Sequence, residues 1–220
     1  TIKQQALSGQ GALKFANSFT PTGTLALRWG VNAVDFSANQ TGDVQANIDI
    51  ADLGALVPDA GGSVQGGVTL RQAKVAKKAA TFTLEGALSA RLLRFNGVSA
   101  DTLEITAEVP SNVSAPIALT LKAADVELAG QRTRQANLTI AGTRAQHQVN
   151  ASISSEQGAI ALAALGGLVT QRQATAWQGQ LNALTLTPIL KPDKTPPSLK
   201  LQAPVNLRVA PEALALERAC

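Results

Sequence analysis

Residues 103–109 read Leu-Glu-Ile-Thr-Ala-Glu-Val, and residues 117–123 read Ile-Ala-Leu-Thr-Leu-Lys-Ala. Odd positions are apolar in both stretches, while the even ones are Glu, Thr, Lys or Ala. A chain with a two-residue side-chain repeat puts every odd residue on one side, and an α-helix would scatter them around its axis. Between the two runs lies Pro110-Ser111-Asn112-Val113-Ser114-Ala115-Pro116, which is turn chemistry. So short a connection makes the two strands antiparallel neighbours, because a parallel crossover needs a dozen residues or more.

The same period extends outward in both directions. Upstream it appears at Leu25, Leu27, Trp29 and Val31, at Val44, Ala46, Ile48 and Ile50, and at Phe82, Leu84, Gly86 and Leu88. Downstream it appears at Leu138, Ile140 and Gly142, at Val149, Ala151 and Ile153, at Leu199 and Leu201, and at Val205, Leu207 and Val209, with Leu214 and Leu216 last. Thr41-Gly42-Asp43, Gly61-Gly62, Asn96-Gly97, Ala129-Gly130 and Glu156-Gln157-Gly158 punctuate these runs as turn formers. Asp52 to Pro58 predicts one helical turn, capped by Asp52 and stopped before Pro58. Lys191 to Pro197, with three prolines, predicts a loop. No linker or low-complexity tract divides the chain, so residues 1–220 predict a single all-β unit, one extended antiparallel sheet.

Composition excludes several functions. Nothing reaches the 18 consecutive apolar residues of a membrane-spanning helix; the longest such run, Ala159 to Val169, contains Gly166 and Gly167. A single cysteine, Cys220, and a single histidine, His147, cannot assemble a disulfide, a Cys/His zinc site or a catalytic dyad. Gly61 to Gly67 lacks the lysine and hydroxyl of a phosphate-binding loop. The expectation is a protein with no catalytic residues, no metal and no cofactor. Net charge is +4, and the basic residues gather loosely at Arg71, Lys74, Lys77 and Lys78 and at Arg91, Arg94, Arg132 and Arg134. Without aromatic platforms this is no nucleic-acid site. Charged residues are 15% and aromatic residues 3%, against about 25% charged in an ordinary soluble domain. A closed sandwich or barrel would fill its interior with larger side chains, whereas the repeating face here is Leu, Val, Ile and Ala, a composition that suits a long smooth surface. Trp29 and Trp177 fit packing roles at a face or rim, with Gly179 letting the Trp177 ring lie against the backbone or marking a bulge.

Three elements in order carry a resemblance to a known family. They are Ile48-Asp49-Ile50-Ala51-Asp52-Leu53 running into Leu56-Val57-Pro58 and the glycine-rich Gly61 to Val68, Gly142-Thr143-Arg144-Ala145-Gln146-His147, and Trp177-Gln178-Gly179-Gln180-Leu181. With Ala203 to Leu207 and the closing Leu214, Leu216 and Cys220, residues 40–220 resemble the middle region of the TamB family of Gram-negative bacteria, which is similar to AsmA-like, bridge-like lipid transfer proteins. The resemblance implies a sheet curled into a taco-shaped groove with a hydrophobic concave face. It also implies a periplasmic location within an inner-membrane-anchored protein, and an outer-membrane barrel partner, TamA-like, met through regions outside this segment. The chain has no methionine and starts at Thr1, which gives the expectation of an internal section. By the same resemblance the ligand is phospholipid, and its acyl chains would lie on Leu25, Leu27, Val44, Ile48, Ile50, Phe82, Leu84, Leu103, Ile105, Ile117, Leu119, Leu121, Leu138, Ile140, Val149, Ile153, Leu199, Leu201, Val205 and Leu207. The family's alternative role is that of a scaffold assisting outer-membrane protein assembly or secretion through added strands.

Overall fold

A computed structural model describes residues 6–15, 21–73, 81–128, 130–171, 174–188, 198–211 and 213–216. The expected loop at Lys191 to Pro197, the lysines at 74, 77 and 78, and Cys220 lie outside the described residues. Fifteen strands form one sheet: β1 (Leu7–Phe15), β2 (Pro21–Trp29), β3 (Asn32–Ala38), β4 (Val44–Ile50), β5 (Gly61–Ala73), β6 (Thr81–Phe95), β7 (Val98–Pro110), β8 (Ile117–Leu128), β9 (Gln131–Gly142), β10 (His147–Ser155), β11 (Gly158–Gln171), β12 (Ala174–Pro188), β13 (Leu199–Lys200), β14 (Val205–Ala210) and β15 (Ala213–Leu216).

Each strand pairs with the next in sequence through β12, which then pairs with β14 and, at its far end, with β13. Every pairing is antiparallel, as the short turns require. The sheet is open: β1 pairs with β2 alone and β15 with β14 alone among the described residues. Fourteen strands side by side at about 4.8 Å each give a curled sheet roughly 60 Å along its contour.

Two sequence expectations change. Val31 does not continue a strand from Trp29; Gly30 and Val31 form the β2–β3 turn, and Val31 is exposed. Gly61-Gly62, expected both as a turn former and as the head of a glycine-rich strand through Val68, is the start of β5, where Gly62 has φ +98° and interrupts the register against β6. The helical turn after β4 is present as a 3-10 turn at Leu53–Ala55, but the Asp52 side chain makes no cap bond. Buried Asn32 ties this turn down instead: its Oδ1 accepts from Asp52 N–H at 2.9 Å and its Nδ2 donates to Asp52 C=O at 3.2 Å.

A crease crosses five neighbouring strands. Leu92 (φ +50°) and Asp125 (φ +49°) adopt the left-handed region inside β6 and β8. The paired ladder skips Gly62, Leu92, Asp101, Asp125 and Arg134, which lie in line across β5 to β9. From β6 to β9 each strand leaves out one residue opposite its neighbour, so the register holds there and shifts only against β5 and β10, and the residue left out shifts the side-chain phase by one. The sequence compensates: the apolar positions change from Leu88 and Ala90 to Leu93 and Phe95 in β6, from Leu103 back to Ala100 and Val98 in β7, and from Leu121 and Ala123 to Val126 and Leu128 in β8. The apolar side therefore carries on beyond the crease, into the tips of the β6–β7 and β8–β9 hairpins.

Candidate functional site

In an antiparallel sheet, directly paired residues share a face, so the register identifies the members of each side. One cross-strand row runs Gly11, Leu25, Phe36, Ala46, Val68, Gly86, Ala107, Leu119, Ile140, Val149, Ala164, Leu181, Val205. A second runs Gly9, Leu27, Val34, Ile48, Gly66, Leu88, Ile105, Leu121, Leu138, Ala151, Leu162, Leu184. A third runs Leu7, Trp29, Asn32, Ile50, Val64, Ala90, Leu103, Ala123, Ala136, Ile153, Ile160, Leu186, Leu199. On the same side, Val44 pairs with Leu70, which pairs with Leu84, and Phe82 pairs with Gln72. Ile117 leads through Gly142, His147, Gly166 and Gly179 to Leu207. Leu201, two residues past Leu199, bonds Leu184 C=O through its N–H.

Nineteen of the twenty residues expected on the apolar side thus lie on one face of one sheet, with Leu201 just past the end of β13, and no Lys, Arg, Asp or Glu stands in these rows. The opposite face is polar. A representative row there reads Thr24, Ser37, Gln45, Thr69, Glu85, Glu108, Ala118, Ala141, Gln148, Leu165, Gln180, Asn206.

Alanine compares the two sides at constant side-chain size. Ala107, Ala123, Ala136 and Ala151 on the apolar side are half-buried, while alanines on the polar side range from exposed (Ala87, Ala118, Ala141, Ala161) through half-buried (Ala26, Ala33, Ala124, Ala163) to buried (Ala176). Large members of the apolar side are not sealed: Phe82, Leu84, Ile153 and Ile160 remain exposed. No second layer covers this face among the described residues, all of whose strands lie in one sheet. Shallow hollows do open on the polar side, around Thr69, Glu85, Thr106 and Thr120 and around Thr24, Ser37 and Asn47. The first is a dent left where Gly67, Ala87 and Ala118 stand beside longer polar side chains, and both are open to solvent.

Two polar devices mark the ends of the strands on the apolar side. At one end lie Trp29, Asn32, Ile50 and Ala55, all buried, with the Leu53–Ala55 turn folded in against them through the Asn32 bonds to Asp52. At the other, His147 is buried and fully bonded. Trp177 Nε1–H donates to His147 Nε2 at 2.9 Å, which leaves the proton on Nδ1 to donate to Thr143 C=O, also at 2.9 Å. The Trp177 ring lies over a glycine shelf. A Cβ at Gly166 would stand 2.5 Å from Trp177 Cζ2, and one at Gly179 would stand 2.6 Å from Trp177 Cη2. The expected role of Gly179 is therefore realised, and Gly166 shares it. The 143–146 loop completes this end: Arg144 C=O accepts from Leu168 N–H at 2.8 Å, and the Arg144 guanidinium donates to Pro110 C=O at 3.0 Å.

This constellation holds no activated nucleophile. Both nitrogens of its one histidine are occupied in structural bonds, and no cluster of three or more His, Cys, Asp or Glu residues is found among the described residues. No helix among them is long and apolar enough to cross a membrane. The sequence reading left out Asn32 and the continuation past the crease. Asn32 carries no sequence signal, since its partner sits 20 residues away. The crease does carry one, the break of alternation at Ala90-Arg91-Leu92-Leu93 and its mirror between Ala100 and Leu103.

A family model described as "TamB, N-terminal domain" matches residues 1–220. It takes in the first 39 residues, which the sequence resemblance did not cover, and it is described as N-terminal where the resemblance pointed to the family's middle region. Neither a curated protein nor a solved structure matches the chain.

Proposed function

Because this chain belongs to the TamB family, by a match across all its 220 residues, we propose that it forms a section of a bridge across the bacterial periplasm that carries phospholipid acyl chains toward the outer membrane. The observation that carries this reading is the single uncharged apolar face running without interruption from β1 to β14. Acyl chains on such a face escape water at about 0.8 kcal/mol per methylene, with no directional bond to specify. A long site of that kind accepts chains of differing length and lets them move, since every position along it resembles the next. In this reading the curl places the apolar face inside and the polar face toward the periplasm. Membership also implies work in outer-membrane assembly beside a TamA-like barrel partner, met outside this segment, and an inner-membrane anchor elsewhere in the protein.

One observation favours a second role. Among the described residues β1 pairs with β2 alone and β15 with β14 alone, and a strand paired on one side accepts an added strand on the other. A scaffold that offers such an edge to outer-membrane proteins would need the edges and not the apolar face. Leu121→Asp separates the two: placed in the centre of the face, it should stop lipid passage while leaving edge pairing intact. Loss of phospholipid flux with barrel insertion preserved supports the conduit. Loss of barrel insertion with flux preserved supports the scaffold.

A further inference from the structure

We propose that the paired tips of the β6–β7 and β8–β9 hairpins, beyond the crease, dock on an anionic phospholipid bilayer surface. Past the crease the tips carry two apolar cross-strand rows, Leu93, Ala100, Val126 and Phe95, Val98, Leu128, separated by the polar row Arg94, Ser99, Glu127, Arg132. The two apolar rows share a side, and their outer members are open to solvent: Phe95 is 45% and Leu128 58% exposed, and Leu92, turned out by its left-handed backbone, is 61% exposed. Nothing packs over the turns themselves, since a Cβ at Gly97 or Gly130 would meet no atom within 4 Å.

Charge selects the occupant. Three acidic groups lie at the crease and the tips: Asp125 forms an ion pair with Arg132 at 3.3 Å, Glu127 is the direct cross-strand neighbour of Arg132, and Asp101 stands exposed on the crease line. Arg134 pairs with Glu156 at 3.8 Å. Arg91 and Arg94 form no ion pair among the described residues, and they flank the exposed Leu92 and Phe95 in Arg91-Leu92-Leu93-Arg94-Phe95. Apolar side chains flanked by unpaired guanidinium groups match the boundary between acyl chains and anionic headgroups, where the former insert and the latter reach phosphate. A protein partner would leave those two cations to be matched individually, whereas anionic headgroups supply counter-charge at any lateral position. The proposal does not depend on lipid occupying the long face.

Flotation of the chain with vesicles tests it, using phosphatidylcholine containing phosphatidylglycerol and phosphatidylcholine alone. Wild type should float with the anionic vesicles, and added salt should release it. The pair Phe95→Ser and Leu128→Ser should weaken partitioning roughly tenfold or more, and the pair Arg91→Gln and Arg94→Gln should remove the preference for anionic vesicles. All four positions are exposed, so circular dichroism should show the strand signal unchanged. The proposal is overturned if wild type stays unbound, if the tip variants float like wild type, or if they change only self-association, which would make the tips an interface between copies. Leu121→Asp is the separating control: flotation that depends on Leu121 and not on the tips places the vesicle contact on the long face.

Discussion

Trp177 Nε1 and His147 Nε2 lie 2.9 Å apart, joined across β11 by a hydrogen bond that sits on the otherwise apolar side of the sheet. The bond fixes the indole on its glycine shelf and fills the last acceptor of a buried imidazole. Trp177→Phe keeps an aromatic ring on the shelf but trims the indole and leaves His147 Nε2 without a donor, so unfolding should cost at least about 1–3 kcal/mol less than in wild type. Gly179→Ala should destabilise by about 1–3 kcal/mol or more, because its methyl would collide with the Leu165 C=O and Gly166 Cα of β11 as well as with the Trp177 ring. Denaturant midpoints followed by tryptophan fluorescence check both. Equal midpoints for wild type and Trp177→Phe would show that the bond contributes nothing.

Asp43 gives the sheet an acid-sensitive staple. Its carboxyl is held below the ordinary carboxylate value of 3.8, first by the Gln72 backbone N–H and then by the Asn39 and Thr41 side chains, with the Arg71 charge as a smaller aid. The folded value is the lower one, so the stabilisation is fully present above the unfolded value near 3.8 and is lost as pH falls through the folded value. Unfolding of wild type should therefore become easier below about pH 4 by a margin that Asp43→Asn lacks. Parallel pH dependences for the two proteins would contradict this.

Glycine is needed for space at the crease, at Gly62, and not in the β6–β7 turn, at Gly97. Gly62→Ala would bring a methyl to 2.5 Å from Arg91 C=O and Leu92 C=O at φ +98°, whereas Gly97→Ala at φ +77° meets open space. The first should cost about 1–3 kcal/mol more than the second, which bears only the backbone strain of about 1–2 kcal/mol. Thermal unfolding of the two variants side by side measures the difference.

Much of this architecture could be read from alternation, because a half-buried strand writes its facing into every second residue. The face of Leu119, Leu121, Leu138 and Ile140 follows from that period alone, and antiparallel register then joins the strands with no slip in facing. The pattern failed where the backbone broke the period. Strands β6 to β9 run past the point where Leu92 and Asp125 insert an extra step, so Phe95, Val98 and Leu128 fell outside the expected set. β3 was hidden because Trp29 to Asn32 is a tight turn inside an apolar run, and β11 because Ala159 to Val169 is apolar on both sides. The His147 and Trp177 contact was illegible for another reason: the two residues stand 30 apart, and only the strand register brings them together.

The central claim, that the uncharged face is the one lipid occupies, is tested most directly by photo-crosslinking at adjacent inward and outward positions in cells. Crosslinkers at Leu119, Leu121, Leu138 and Ile140 should yield phospholipid adducts, while those at Thr120 and Thr139, one residue away on the polar face, should yield none. Adducts at neither set, or at both equally, would contradict the account.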